Sequence, residues 1–150
     1  MTTIAYKDGV MAADSMIVSG DCRRGYVKKI TRLADGSLLG CAGNSAIIDI
    51  FVRWAESGAD LKNPPKFSDK DDFGMGAIWV RPDGFVTVWN SDVLAPQRNS
   101  PPSWGLSMGS GNEIAMGAMA FGACAEEAVR IACMIDVNSG GDIQVERLSP

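Results

Sequence analysis

The sequence predicts an α+β layered sandwich built on antiparallel sheets. Three observations carry this reading. Tight turns at Lys7-Asp8-Gly9, Asp35-Gly36 and Pro82-Asp83-Gly84 each join two β-prone stretches, so consecutive strands run antiparallel. Two helical stretches, Asn112 to Phe121 and Ala125 to Ile135, follow in series around Gly122, which breaks the strand–helix alternation of a doubly wound parallel sheet. The chain has 150 residues, 46% hydrophobic and 21% charged, enough for one domain with a sizeable core. Two sheets packed face to face, with helices on their outer sides, satisfy this order.

The elements follow along the chain. Thr2 to Tyr6 and Val10 to Ala13 form a hairpin, which brings Thr2 and Asp14 to the same end of the ladder. Ser19 to Gly25 is polar and reads as a loop. Val27 to Leu33 reads as a strand on which Lys29 shares a face with Val27, Thr31 and Leu33. Ser37 to Ala42 is a strand of small residues. Asn44 or Ser45 caps a helix whose Ile47, Ile50, Phe51 and Trp54 share one face, and Gly58 stops it. Ala59 to Asp72 and Ser91 to Ser103, rich in proline and charge, read as loops. Met75 to Val80 and Phe85 to Trp89 form a second hairpin. Trp104 to Met108 is a strand broken by Gly109-Ser110-Gly111. After the two helices, Ser139-Gly140-Gly141 turns into a last strand from Asp142 to Leu148.

Composition narrows the chemistry. The net charge of −4 argues against a nucleic-acid or anionic-membrane partner. No apolar run is long enough to span a bilayer, and no basic stretch followed by an apolar one marks a signal peptide, so the expected location is the cytoplasm. Cys22, Cys41, Cys124 and Cys133 form no C-x-x-C pair and read as small apolar residues, so no metal site is expected. The chain contains no histidine, which removes Ser-His-Asp and Cys-His catalysis. Acid–base work near neutral pH then falls to Lys, Asp, Glu, Tyr or a terminal amine, whose ordinary pKa is about 7.7–8.0.

Four features suggest chemistry, each beside a plainer reading. If Met1 is removed, the freed amine of Thr2 can take the proton of its own hydroxyl, a known variant of the nucleophile–base pair; otherwise Thr2 only begins a strand. Lys29, held charged by Asp14, would favour the ionised hydroxyl; otherwise the two are a surface lysine and a turn aspartate. Gly43, at a strand-to-helix junction, offers a backbone N–H to an oxyanion, a tight turn, or both. Met108-Gly109-Ser110-Gly111 before a helix invites a nucleotide reading. That reading fails on Ile114, which stands where G-x-G-x-x-G needs its third glycine, and on the missing βαβ unit. No cofactor is expected.

In this order the motifs resemble the proteasome β-subunit family of N-terminal nucleophile hydrolases, closest to a shortened bacterial HslV-type peptidase. The segments that carry the resemblance are MTTIAYKDGVMAADS, VKKITRL, LLGCAGNSAIIDIF, SMGSGNEIAMGAMAFG and EEAVRIACMIDVNSGGDIQV. The resemblance implies a four-layer αββα sandwich with one helical layer reduced, because the Pro- and charge-rich loop stands where the family has a second helix after Gly43. It implies Thr2 as nucleophile and base, Asp14 and Lys29 as its charged partners, and Gly43 as oxyanion donor. Ser110 would sit by the terminal amine, with Asp136 and Ser139 supporting the same region. A pocket lined by Ile17, Val27, Thr31, Cys41, Ser45 and Asp49 would receive a side chain of a peptide or unfolded-protein substrate, with Asp49 at its base. A homo-oligomer, as a ring or a reduced assembly, and an ATP-dependent unfoldase partner belong to the same implication. Two other readings stand beside it: a catalytically silent structural or interaction protein that retains Met1, and a hydrolase of small non-peptide amides.

Overall fold

A computed structural model describes residues 1–67, 74–90 and 93–149, of which 93–99 are described as backbone only. The chain is mixed α+β, with three antiparallel sheets and three helices among those residues. Strands β1 (Thr3–Lys7) and β2 (Val10–Ala13) form the expected hairpin, with Asp8 and Gly9 both at positive φ in its turn. Strand β3 (Met16–Ser19) pairs with β4 (Cys22–Tyr26) as a separate two-stranded ribbon. Strands β5 (Ile30–Arg32), β6 (Leu38–Gly43), β7 (Met75–Val80), β8 (Val86–Asn90) and β9 (Val93–Asn99) make a five-stranded sheet in chain order. Strands β10 (Leu106–Gly109) and β11 (Gln144–Arg147) flank the first hairpin in the order β10-β1-β2-β11.

Three apolar clusters hold these pieces together. The period-2 alternation of β1 and β2 sends Ile4, Tyr6, Met11 and Ala13 to one face, where they pack with Ile30, Leu38, Ile78 and Val80 of the five-stranded sheet. Ala5 and Ala12 point the other way, against Ala115 and Met119 of α2 (Asn112–Phe121) and Ala128, Val129 and Ala132 of α3 (Ala125–Ile135). Small residues on both sides let helix and sheet approach closely. The remaining face of the five-stranded sheet offers Leu39, Cys41, Trp79 and Trp89 to Ile47, Phe51 and Ala55 of α1 (Ser45–Glu56). Fully burying one such side chain contributes roughly 1.5–3 kcal/mol.

Both C-terminal helices begin and end where the sequence places them. Cys124 caps α3 reciprocally with Glu127, while the Asn44 side chain accepts from Ala46 N–H to start α1. Four expectations are corrected. Ser19 to Gly25, read as a loop, contributes to both strands of the β3–β4 ribbon. The strand expected over Val27 to Leu33 contracts to Ile30–Arg32, because Gln144 takes the Lys29 N–H through its side chain. Within the loop expected from Ser91 to Ser103, β9 pairs with β8. The buried stripe of α1 is Ile47, Phe51 and Ala55, and Ile50 is 40% exposed. Residues 59–67 are non-helical as expected; the charged run 69–72 lies outside the described residues.

Candidate active site

The β1–β2 hairpin does what its turn predicts. Ile4 faces Ala13 in the ladder, so Asp14, the next residue, comes level with Thr3. Asp14 is fully buried, and its carboxylate accepts the Thr3 N–H at 3.0 Å and the Gly140 N–H at 3.0 Å. Its strongest partner is Lys29, whose Nζ lies 2.8 Å from Asp14 Oδ1 with the lysine side chain only 6% exposed. A buried carboxylate is tolerable only with such partners. Lys29 is carried in from the neighbouring sheet. Its carbonyl accepts from Cys41 N–H at 3.2 Å, and its N–H donates to Gln144 Oε1 at 2.7 Å.

The Lys29 ammonium has three protons and three acceptors: Asp14 Oδ1 at 2.8 Å, the Met16 carbonyl at 2.8 Å and the Met1 carbonyl at 3.2 Å. With Met1 attached, its donor capacity is spent. Among the described residues no hydrogen bond engages the Thr2 hydroxyl, although Thr2 is buried at 4% exposure. The carbonyl of Thr2 is held by Gly111 N–H and Ser110 Oγ, both at 3.4 Å. The backbone can approach so closely because Gly109, at φ +98, has no side chain to meet Thr2.

A second carboxylate anchors the opposite side. Asp136 caps the end of α3, and its Oδ2 accepts from Ser110 Oγ at 2.6 Å and from Ser139 Oγ at 2.6 Å. Its Oδ1 accepts the Asn138 N–H at 3.1 Å. Ser139 Oγ in turn lies 2.7 Å from Thr3 Oγ1.

The local electrostatics shift the Met1 amine toward its neutral form. Burial first, and the neighbouring Lys29 charge second, push the N-terminal amine below its ordinary value, against the opposing pull of Asp14 and Asp136. Burial also lowers Lys29, and the Asp14 hydrogen bond only partly restores it. Burial pushes the Asp136 carboxyl up, but its two serine donors, the Asn138 N–H and the nearby terminal amine together hold it below the usual carboxylate range.

Six of the seven residues expected at the catalytic centre therefore connect in one network: Thr2, Asp14, Lys29, Ser110, Asp136 and Ser139. Gly43 does not join it by a hydrogen bond among the described residues. It ends β6 opposite Met75, exposed and at φ +124, just before the Asn44 cap. Sequence reading missed Thr3, Gly111, Gly140 and the Met16 carbonyl. Thr3 carried a signal in being the second of two threonines; the other three act through backbone atoms, which residue identity does not reveal.

The residues expected to line a side-chain pocket lie in different environments. Ile17 and Thr31 are half-buried, and Val27 and Ser45 are exposed. Cys41 is 3% exposed and packs beneath α1, so it faces the core; burial pushes its thiol up to about 12. Asp49 lies on the exposed side of α1, where it pairs with Arg53 at 3.0 Å. A cavity of about 410 Å³ sits elsewhere, at the C-terminal end of α1, lined by Leu33, Ala55, Trp79, Arg81, Phe85 and Trp89 among others. None of the expected site residues lines it. No group of metal-ligating side chains occurs among the described residues, and none of their helices is long and apolar enough to cross a membrane.

No protein-family model and no curated protein matches the chain. Solved structures do. BPH of Thiobacillus denitrificans superposes with a TM-score of 0.64 at 23% identity, covering 99% of this chain and 98% of that one. The chain shares this fold. The same protein in complex with epoxomicin matches at 24% identity and a TM-score of 0.63, covering 99% of each chain. The helical assembly of the Anbu complex from Pseudomonas aeruginosa gives a TM-score of 0.66 at 10% identity, over 97% of this chain and 80% of that one. Anbu, an ancestral β-subunit, from Yersinia bercovieri gives 0.64 at 12%, with the same coverages.

Proposed function

We propose that the chain is a threonine-type amide hydrolase of the proteasome-like class, a peptidase in which Thr2 is the nucleophile once the Met1–Thr2 bond is cut. The observation that carries this is the state of Lys29. Its third proton is held by the Met1 carbonyl. Cleavage removes that carbonyl and frees a Lys29 proton, which on this proposal turns to the hydroxyl of the next residue, Thr2, a group with no hydrogen bond among the described residues. One cut thus creates the base, as the new terminal amine, and activates the nucleophile. The buried surroundings that lower the Met1 amine would act on the new one in the same direction, toward the neutral form a base needs.

In the reaction, Thr2 Oγ bonds to the substrate carbonyl carbon while its proton passes to the Thr2 amine. Gly43 N–H is the proposed donor to the oxyanion. The C–N bond then breaks, and the amine proton leaves with the departing amine to give an ester on Thr2. Water attacks the ester, giving one proton to the Thr2 amine and then to Oγ as the acid is released. Lys29 and Asp14 hold the charge balance, and Ser110, Asp136 and Ser139 fix the terminus. Ile17, Val27, Thr31 and Ser45 remain as the side-chain subsite, without Cys41 and Asp49.

Several features support the wider reading. The three apolar clusters are the interfaces that a four-layer αββα sandwich requires, with α1 the one helix on one outer side among the described residues. An HslV-type chain, located in the cytoplasm and served by an unfoldase, is the specific form proposed. A homo-oligomer is supported by the exposed apolar side chains Ile131, Met134, Ile135 and Val137 along and just after α3, and by the assembled state of the Anbu neighbour. The occupied Lys29 also favours a second reading, a silent protein of the same fold that keeps Met1.

Intact mass before and after treatment with epoxomicin decides between them. A mass short of Met1 and one adduct on Thr2, lost in Thr2→Ala, is the expected result. Native protein that keeps Met1 and takes no adduct refutes the hydrolase.

A further inference from the structure

The two threonines behind Met1 hold different positions, and proton bookkeeping separates them. Thr3 is completely buried, and a side chain at Gly111 would collide with its hydroxyl, so Thr3 Oγ1 is tightly enclosed. Among the described residues its side-chain hydrogen-bond partner is Ser139 Oγ at 2.7 Å. A serine hydroxyl has one proton to give. The Ser139 proton goes to Asp136 Oδ2, an anionic acceptor at 2.6 Å and therefore the stronger one. Thr3 must then donate to Ser139, which gives a one-way chain from Thr3 Oγ1–H to Ser139 Oγ–H to the Asp136 carboxylate. Ser110 delivers a second donor to the same oxygen and also reaches the Thr2 carbonyl.

We propose that Thr3 is a positioning residue, whose hydroxyl commits the Ser139 proton to Asp136 and so fixes that carboxylate beside the N-terminal amine. This deepens the hydrolase reading and rests on it for the catalytic consequence. The purely structural part, the state of Asp136, does not depend on it. Without the Thr3 proton, Ser139 Oγ is left as an unfilled buried acceptor and is free to turn away. Asp136 then loses one of two charge-assisted hydroxyl donors. The groups that act on Asp136 are Ser110 from the turn after β10, Ser139 and Asn138 from the turn after α3, and the terminal amine. Asp136 also acts electrostatically on Cys133 of α3 and on Lys29, which is bound to Asp14.

The test compares Thr3→Val, which keeps the shape and removes the proton, with Thr3→Ser, which keeps the proton. Two measurements are made on the protein lacking Met1. The first is titration of the Asp136 carboxyl carbon by NMR, which needs no activity. Thr3→Val should raise its midpoint by about 0.5–1 unit, and Thr3→Ser should restore it. The second is hydrolysis of a fluorogenic peptide amide. Thr3→Val should lower kcat about tenfold or more with KM within about twofold, and Thr3→Ser should recover most of the loss. An unmoved Asp136 midpoint in Thr3→Val overturns the proposal, even if kcat falls, because Thr3 would then act by packing alone. If the unsubstituted protein forms no adduct on Thr2, the hydrolase reading fails, and the Asp136 titration still decides the role of Thr3.

Discussion

Removing the Asp14 carboxylate should be among the most damaging single changes available in this chain. In Asp14→Ala the Lys29 ammonium, 6% exposed, keeps two carbonyl acceptors but loses its counter-ion at 2.8 Å. The Thr3 and Gly140 N–H groups lose their acceptor at the same time. Breaking a buried pair by removing one partner costs about 3–5 kcal/mol, against a total stability of about 5–15 kcal/mol for a domain of this kind. Lys29→Met should cost less, about 1–3 kcal/mol, because Asp14 retains two backbone donors. The double variant Asp14→Ala/Lys29→Met should be more stable than Asp14→Ala alone, since no unpaired charge remains buried. The pH dependence has a definite sign. Burial holds the folded Lys29 pKa below that of the unfolded chain, about 10.4, so between the two values the unfolded state binds more protons and stability rises with pH. Asp14 opposes that lowering, so its loss widens the window and steepens the rise. Urea unfolding followed by tryptophan fluorescence at pH 7 and pH 9 measures all of this. A cost below about 1 kcal/mol for Asp14→Ala, or a double variant no better than the single one, would refute the buried-pair account.

Two further outcomes follow from the same geometry. Gly43→Ala places a Cβ against the Gly74 carbonyl and 2.7 Å from Met75 Cα at a residue with φ +124, so it should destabilise the fold by about 2–4 kcal/mol; an unchanged Tm would show that the β6–α1 junction relaxes. Cys41 ionises at about 12 in the folded chain and near 8.5 when unfolded, so it contributes stability that is complete below about pH 8.5 and is lost as pH rises toward 12. Its share of the alkaline loss, about 1.4 kcal/mol per pH unit at most, should vanish in Cys41→Ala when melting temperatures are compared between pH 8 and pH 10.5.

What the sequence determined by itself was local. The Asp8-Gly9 turn fixed the first hairpin and with it the nearness of Asp14 to the N-terminus. Gly122 and the Cys124–Glu127 capping box set the bounds of the last two helices, because caps and turns depend on residues a few positions apart. The ribbon β3–β4 was illegible for the opposite reason. Cys22 to Arg24 and Tyr26 are all exposed, so β4 buries no face, no alternation is imposed on it, and its pairing with β3 rests on backbone bonds that every residue can make. Tertiary structure alone decided the centre of the site. It brought Lys29 to Asp14 through bonds to Gln144 and Cys41, set Asp136 and Ser139 beside the first strand, turned Cys41 into the core, and gave the third Lys29 proton to Met1. Periodicity reports which face of an element is apolar. It does not report which distant polar atoms meet there, and buried polar atoms must find partners wherever the packed layers bring them.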